Sequence, residues 1–245
     1  MNVKGSVALV TGANRGIGAE FVRELLRRGV KKVYAAARDA DELGALVELD
    51  SRVIAVTLDV TNEAQVHAAA GRARDITLLI NNAGVAGWQG ALSAPDLSVA
   101  RNEMEVNYFG VLSLSRTFAP ILAQNGGGTI VNMLSMLALV TLPAAGTYSA
   151  SKAAALALTR SLRAELKQRG TLVVGSFPVQ VETAMGQALP KPRLSPQEVV
   201  AETLDAVDRG IEEVFPGALS RDVAKAFSTD PKAVQAKLSE SLPVV

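Results

Sequence analysis

Directly after its first apolar run, at residues 7–10, the chain places Thr11-Gly12-Ala13-Asn14-Arg15-Gly16-Ile17-Gly18 and then enters a helical pattern. No other feature narrows the possible folds as much. Glycines at this spacing between a strand and a helix allow a sharp turn whose backbone amides can approach a bound group closely. The helix that follows directs its free N–H groups and positive dipole end at that turn, an arrangement suited to a pyrophosphate. With 20 glycines in 245 residues, the spacing alone is a weak signal. Its place between strand and helix carries the weight, against the competing reading of a tight structural turn.

The helix carries Val22, Leu25 and Leu26 on one face, with Arg23, Arg27 and Arg28 on the rest and Gly29 as its stop. Further apolar runs follow at 33–37, 53–58, 78–80, 128–133 and 172–177, with a weaker one at 213–215. Helical patterns lie between them near 41–49, 63–73, 97–124, 147–169 and 196–209. Mostly continuous apolar strands alternating with helices predict an α/β chain: a Rossmann-type doubly wound parallel sheet covered on both faces. The whole of 1–245 is expected to be a single domain. Its one linker-like stretch, 186–196 with three prolines, reads as a mobile loop.

Composition excludes several chemistries. The chain has no cysteine, which removes disulfides, thiolate zinc sites and cysteine nucleophiles. Its single histidine, His67, stands among alanines on an expected surface helix, and no acidic cluster suggests a metal site. With 25 basic and 24 acidic residues the net charge is +1, so neither nucleic acid nor an anionic membrane is an expected partner. The apolar run at 136–146 is interrupted by Thr141 and Pro143 and is too short to span a bilayer. A cytoplasmic location is expected.

Tyr148-Ser149-Ala150-Ser151-Lys152 opens a long helical pattern, and the i, i+4 spacing stacks phenol and ammonium on one helix face. Of the three tyrosines only Tyr148 has a lysine four residues on. A cation beside a phenol stabilises phenolate and lowers a pKa that starts near ~10. A phenol so tuned can give a proton to a carbonyl oxygen or take one from an alcohol. The bland reading is an exposed, solvated pair.

Taken in order, these features resemble the short-chain dehydrogenase/reductase family, from Ser6 to about Phe215. Thr11–Gly18 is similar to the family's glycine loop, and Asn81-Asn82-Ala83-Gly84 to its signature after the fourth strand. Asp59 and Val60 stand where the family touches adenine, and Asn107 where it keeps an asparagine in the fifth helix. Ser135 follows the fifth strand as the family's catalytic serine does. The run Pro178-Val179-Gln180-Val181-Glu182-Thr183 resembles Pro-Gly-x-Val-x-Thr, with Val179 in place of glycine.

The resemblance implies a catalytic set of Asn107, Ser135, Tyr148 and Lys152. Tyr148 is the implied acid/base, Lys152 lowers its pKa and bonds the nicotinamide ribose, Ser135 holds the substrate oxygen, and Asn107 positions a water linking Lys152 to solvent. The implied cofactor residues are Gly12, Asn14, Arg15, Gly16, Ile17, Gly18, Arg38, Asp59, Val60, Asn82, Ala83, Gly84, Val181 and Thr183, together with Tyr148 and Lys152. Where family members that prefer NAD carry an acidic residue at the end of the second strand, this chain has Ala37 followed by Arg38. Two guanidiniums, Arg15 and Arg38, suit a 2′-phosphate, so NADP(H) is the expected cofactor. Asp39 is a possible competing partner for Arg38.

A short lid near 183–195 and walls such as Val85, Trp88, Met136 and Leu142 point to an apolar ketone, aldehyde or alcohol as substrate. Two alternatives are a reductase of 3-oxoacyl thioesters and a non-catalytic dinucleotide sensor; sensors commonly lose the tyrosine or the lysine. From Ala153 to Leu158 the helix after Thr147 is apolar nearly all round, which predicts a homo-oligomer, a tetramer over a dimer.

Overall fold

Strands β1 (Val7–Thr11), β4 (Leu78–Asn81) and β5 (Gly128–Met133) are buried along their whole length. That is why they appear in the sequence as continuous apolar runs and not as alternating ones. In the computed structural model, which describes residues 2–243, they form the centre of a parallel sheet. The other strands are β2 (Lys32–Ala37), β3 (Val53–Thr57), β6 (Thr171–Ser176) and β7 (Glu213–Val214). The strand order is β3-β2-β1-β4-β5-β6-β7. The chain starts in the middle, runs outward to β3, returns to pair β4 with β1, and runs outward again. The connections leaving β1 and β4 therefore diverge, opening a crevice beyond the strand C-termini. This is the doubly wound architecture expected.

One face of the sheet is covered by α1 (Gly16–Arg27) and α7 (Pro196–Arg209), with α2 (Gly44–Leu49) at its margin. Phe21, Val22 and Leu25 of α1 and Val199, Val200 and Leu204 of α7 share one core with the inner residues of β1 and β2. The opposite face packs α3 (Glu63–Arg72), α5 (Val111–Gln124) and α6 (Gly146–Leu166). Its core includes Val66, Leu114, Phe118, Leu122 and Leu162.

Three local readings gain detail. The helical pattern at 97–124 is two helices, α4 (Ser98–Met104) and α5, joined by a π-helical turn over Glu105–Gly110. Gly110 lies so close to Val60 that a Cβ there would be 2.7 Å from its side chain, and Asn107 bonds outside the helix. Within the loop at 186–196, Arg193 donates to the carbonyls of Gln187 and Leu189 and, across to its start, to Glu182. The third concerns residues beyond Phe215, given no element by the sequence, which form α8 (Gly217–Thr229) and α9 (Pro231–Ser239). In α9 no residue is fully buried, so it lacks the apolar stripe that marks a helix in a sequence. Among the described residues no helix is long and apolar enough to cross a membrane.

Candidate active site

β1 delivers the chain to Gly12 at φ +62 and Gly16 at φ +55, conformations that side chains disfavour. At Gly18 the need is space, because a Cβ would lie 2.0 Å from the Gly12 carbonyl oxygen. Arg15 occupies the N-cap of α1 in extended conformation with no side-chain cap, and the first turn holds no acidic residue. The first N–H groups of α1 thus have no competing side-chain acceptor, as an anion site requires.

The loop is braced from β4. The Asn82 side chain donates to Thr11 O at 2.9 Å and Gly12 O at 3.2 Å, while the Asn82 and Ala83 amides both donate to Thr11 Oγ1 at 3.0 Å. Asn82 therefore holds the glycine loop with the very group that the resemblance assigns to cofactor binding. Thr11, which the sequence reading did not single out, is the hub of this brace. Gly84 stands between Asn107 Oδ1 and Lys152 Nζ, 3.2 and 3.6 Å from where its Cβ would be.

Arg15 and Arg38 are exposed, and neither forms an ion pair among the described residues. Asp39 does not compete for Arg38; its carboxylate accepts the Asp41 amide at 3.0 Å and caps a short 3-10 turn. Glu42, also unforeseen, accepts from Asn14 Nδ2 on the crevice wall. Asp59 binds the Thr61 amide and hydroxyl through one oxygen, at 2.9 and 2.7 Å. With Val60 it lines the same crevice.

At the C-terminal end of β5, Ser135 caps a short turn, its hydroxyl accepting the Leu137 amide at 3.1 Å. Tyr148 and Lys152 face it from the first turns of α6, both almost fully buried. Lys152 Nζ donates to Met133 O at 2.9 Å and lies 5.8 Å from the centre of the Tyr148 ring. Asn107 Nδ2 donates to Val85 O and Ser151 Oγ, each at 2.9 Å, and its Oδ1 accepts the Val85 amide at 3.0 Å. Its side chain thus joins the loop after β4 to α6.

The expected lowering of the phenol pKa is not found. Burial pushes Tyr148 up to about 12; the Ser135 hydroxyl pulls the other way, and the carboxylate of Glu103 adds to the rise. Burial also pushes Lys152 down to about 8. Desolvation is the largest cause for both groups and favours the neutral form of each. At neutral pH Tyr148 is a fully protonated donor.

This has a measurable consequence. Between about pH 8 and the ordinary lysine value of 10.5, the unfolded chain binds a proton at Lys152 that the folded chain has released. Stability therefore rises with pH across that window; Tyr148, higher when folded, opposes the trend only above about 10. Lys152→Met should lack the rise. In urea denaturation the unmodified protein should gain about 1–3 kcal/mol on the variant between about pH 7 and about pH 10. A constant difference would show that the ammonium is not desolvated.

Glycine loop, arginines, Ser135, Tyr148 and Lys152 all line one cavity of about 1370 Å³, larger than a typical small-ligand pocket. The expected walls Val85, Trp88, Met136 and Leu142 are there, together with Met185 and Leu189. Thr183 folds over the loop, its methyl 3.3 Å from the place of a Gly16 Cβ, and Val181 pairs with Leu194. Val179 has no positive φ, and its amide donates to Ser220 of α8 at 3.2 Å. The sequence reading missed the far wall. Gln235 of α9 exchanges hydrogen bonds with both backbone groups of Thr141, at 2.8 and 2.9 Å, and Ala144 N–H donates to Ser241 O. This anchors Leu238 and Leu242 on the cavity's edge.

Comparison with known proteins agrees with this geometry. Residues 6–193 match the family model described as short chain dehydrogenase. A short chain dehydrogenase from Burkholderia cenocepacia, solved in complex with NADP, superposes with a TM-score of 0.92 at 45% identity, covering 97% of this chain and 99% of that one. The 1-deoxy-11-beta-hydroxypentalenate dehydrogenase of Streptomyces avermitilis is 35% identical over 91% of this chain and 84% of its own length. The NADPH carbonyl reductase 2 of Sus scrofa is 34% identical over 77% of each chain.

Proposed function

The chain belongs to the short-chain dehydrogenase/reductase family, and on that premise we propose that it is an NADPH-dependent carbonyl reductase. Its substrate is an apolar ketone or aldehyde, and in reverse it oxidises the corresponding alcohol. One observation carries this reading: Tyr148, Ser135 and Lys152 meet the glycine loop and two arginines that form no ion pair among the described residues, all in one largely apolar cavity. The NADP in the Burkholderia relative and the activity in the name of the Sus scrofa relative support it.

Bound NADPH supplies the hydride. The backbone amides of residues 12–18 and the start of α1 would hold its pyrophosphate, Asp59 and Val60 its adenine, and Arg15 and Arg38 its 2′-phosphate. Val181, Thr183 and the Asn82–Gly84 segment enclose the nicotinamide end. Ser135 donates a hydrogen bond to the substrate carbonyl oxygen and fixes it beside Tyr148. As the carbonyl carbon is reduced, negative charge grows on that oxygen and the Tyr148 hydroxyl gives it a proton, completing the alcohol. Lys152, mostly ammonium at neutral pH even with its pKa lowered to about 8, stabilises the phenolate as it forms. The 183–195 loop, held by Arg193, covers the reacting centre. We place the enzyme in the cytoplasm, in keeping with a chain that has no cysteine.

The test is a panel of ketones and aldehydes offered with NADPH to the purified protein. Steady NADPH oxidation with apolar carbonyl compounds is expected, and none with 3-oxoacyl thioesters alone. Turnover confined to thioesters would favour the alternative reductase, and cofactor binding without any turnover would favour a sensor.

The outward side of α6 carries exposed Ala150, Ala153 and Ala157 beside half-buried Leu158. Small side chains let a second helix approach closely, so we propose that this face meets another copy and that the enzyme is a tetramer. Light scattering should give a mass near four times 25.6 kDa; a monomer at micromolar concentration would rule this out.

A further inference from the structure

We propose that Trp88 selects the substrate, that the buried carboxylate of Glu103 holds it in place, and that the site prefers ketones bearing a flat apolar group next to the carbonyl. This rests on the carbonyl-reductase reading and specifies its substrate class. Trp88 has φ +52, the only positive φ of a non-glycine residue among the described residues. For a bulky side chain this conformation is costly and persists only where the surroundings enforce it. The enforcement is visible one residue earlier. Gly87 packs so tightly on α4 that a Cβ would lie 2.2 Å from Val99, and its amide donates to Glu103 Oε1 at 2.8 Å.

Glu103 is 1% exposed, and its second carboxylate oxygen has no partner among the described residues. A carboxylate so placed is expensive to bury, more so with one oxygen unsatisfied. What it does in this fold is pin the backbone that aims Trp88. The indole lies 5.7 Å from the Tyr148 ring, centre to centre, tilted by 40°, and is half-exposed to the cavity. A carbonyl oxygen meeting the Tyr148 hydroxyl therefore brings one substituent against the indole. A planar apolar group fills that contact best, by offset stacking. Glu103 is a positioning residue, acting on substrate through Trp88.

Trp88 is the only tryptophan in the chain, so its fluorescence reports its surroundings without interference. The experiment compares the unmodified protein with Glu103→Leu, Glu103→Gln and Trp88→Ala. It records tryptophan emission of the first three, NADPH affinity, and kcat and KM with NADPH for acetophenone and 2-butanone. Glu103→Leu leaves the Gly87 amide unpaired and should red-shift the emission. It should raise KM for acetophenone about tenfold, with the 2-butanone KM and NADPH affinity nearly unchanged, while the lost charge near Tyr148 moves kcat alike for both ketones. Glu103→Gln keeps the acceptor without the charge and should restore both emission and KM. Trp88→Ala should cut the acetophenone-to-2-butanone ratio of kcat/KM by about tenfold or more. An unchanged ratio in Trp88→Ala overturns the selecting role. A Gln variant as impaired as the Leu variant, or Leu emission like that of the unmodified protein, overturns the role of Glu103. If Glu103→Leu does not fold, Trp88→Ala still judges the selecting role, and a Glu103→Gln variant with shifted emission or a raised acetophenone KM overturns the role of Glu103. If neither ketone is reduced by the unmodified protein, the carbonyl-reductase reading falls with the substrate preference, while the emission comparison separately judges the link from Glu103 to Trp88.

Discussion

Tyr148→Phe is expected to reduce turnover by about 10²–10⁴-fold while NADPH affinity stays nearly the same. The substitution keeps the ring, its packing against Trp88 and its neighbours on α6, and removes a single hydroxyl. In the ground state that hydroxyl contributes little, because burial leaves it protonated with a pKa of about 12. Its value appears only as charge develops on the substrate oxygen, which no other described side chain in the cavity is placed to protonate: Ser135 is a much weaker acid, and Lys152 is turned to Met133 O. A deficit confined to the transition state lowers kcat and kcat/KM together. Single-turnover rates alongside cofactor titration separate this from a folding defect. A folded variant that kept most of the parent rate would remove Tyr148 from the mechanism.

The second large effect concerns the adenosine end. Replacing Arg15 and Arg38 together with Ala should weaken NADPH binding about 10²-fold and leave NADH almost unaffected. A hydrogen bond to a charged group contributes about 1.5–3 kcal/mol. Both arginines are exposed, so solvent and salt hold each near the lower figure, about tenfold apiece. Among the described residues neither has another ion-pair partner to give up, and Asp39 is occupied as a cap. Ala37→Asp should push the same way, since a carboxylate would face the 2′-phosphate but could accept bonds from the ribose hydroxyls of NADH. Titrations of each variant with both cofactors at one ionic strength decide it; equal losses for NADH and NADPH would mean that the arginines act on the fold and not on the phosphate.

The fold was legible where the information is local. Buried parallel strands announce themselves as unbroken apolar runs, and a glycine turn between strand and helix fixes the centre of the sheet. The Tyr148–Lys152 pair was equally local, four residues apart on one helix. What escaped depends on contacts between distant segments. Gln235 reaches Thr141 across 94 positions of sequence, so nothing near α9 marks it as a wall of the cavity. Glu103 looks like any acidic residue on a helix until the loop after β4 closes over it. The phenol pKa was misjudged for a related reason: spacing reveals the lysine beside Tyr148 but not the burial that outweighs it. Asn107 lies in the π-helical turn before α5, and which groups its amide would bond could not be read from its neighbours.

The most direct measurement is kcat/KM for NADPH and for NADH in the unmodified protein, with one reducible ketone at matched ionic strength. An NADPH-dependent carbonyl reductase with Arg15 and Arg38 on the 2′-phosphate should turn over the ketone and favour NADPH by roughly 10²-fold. Equal values for the two cofactors, or no ketone reduction with either, would contradict it.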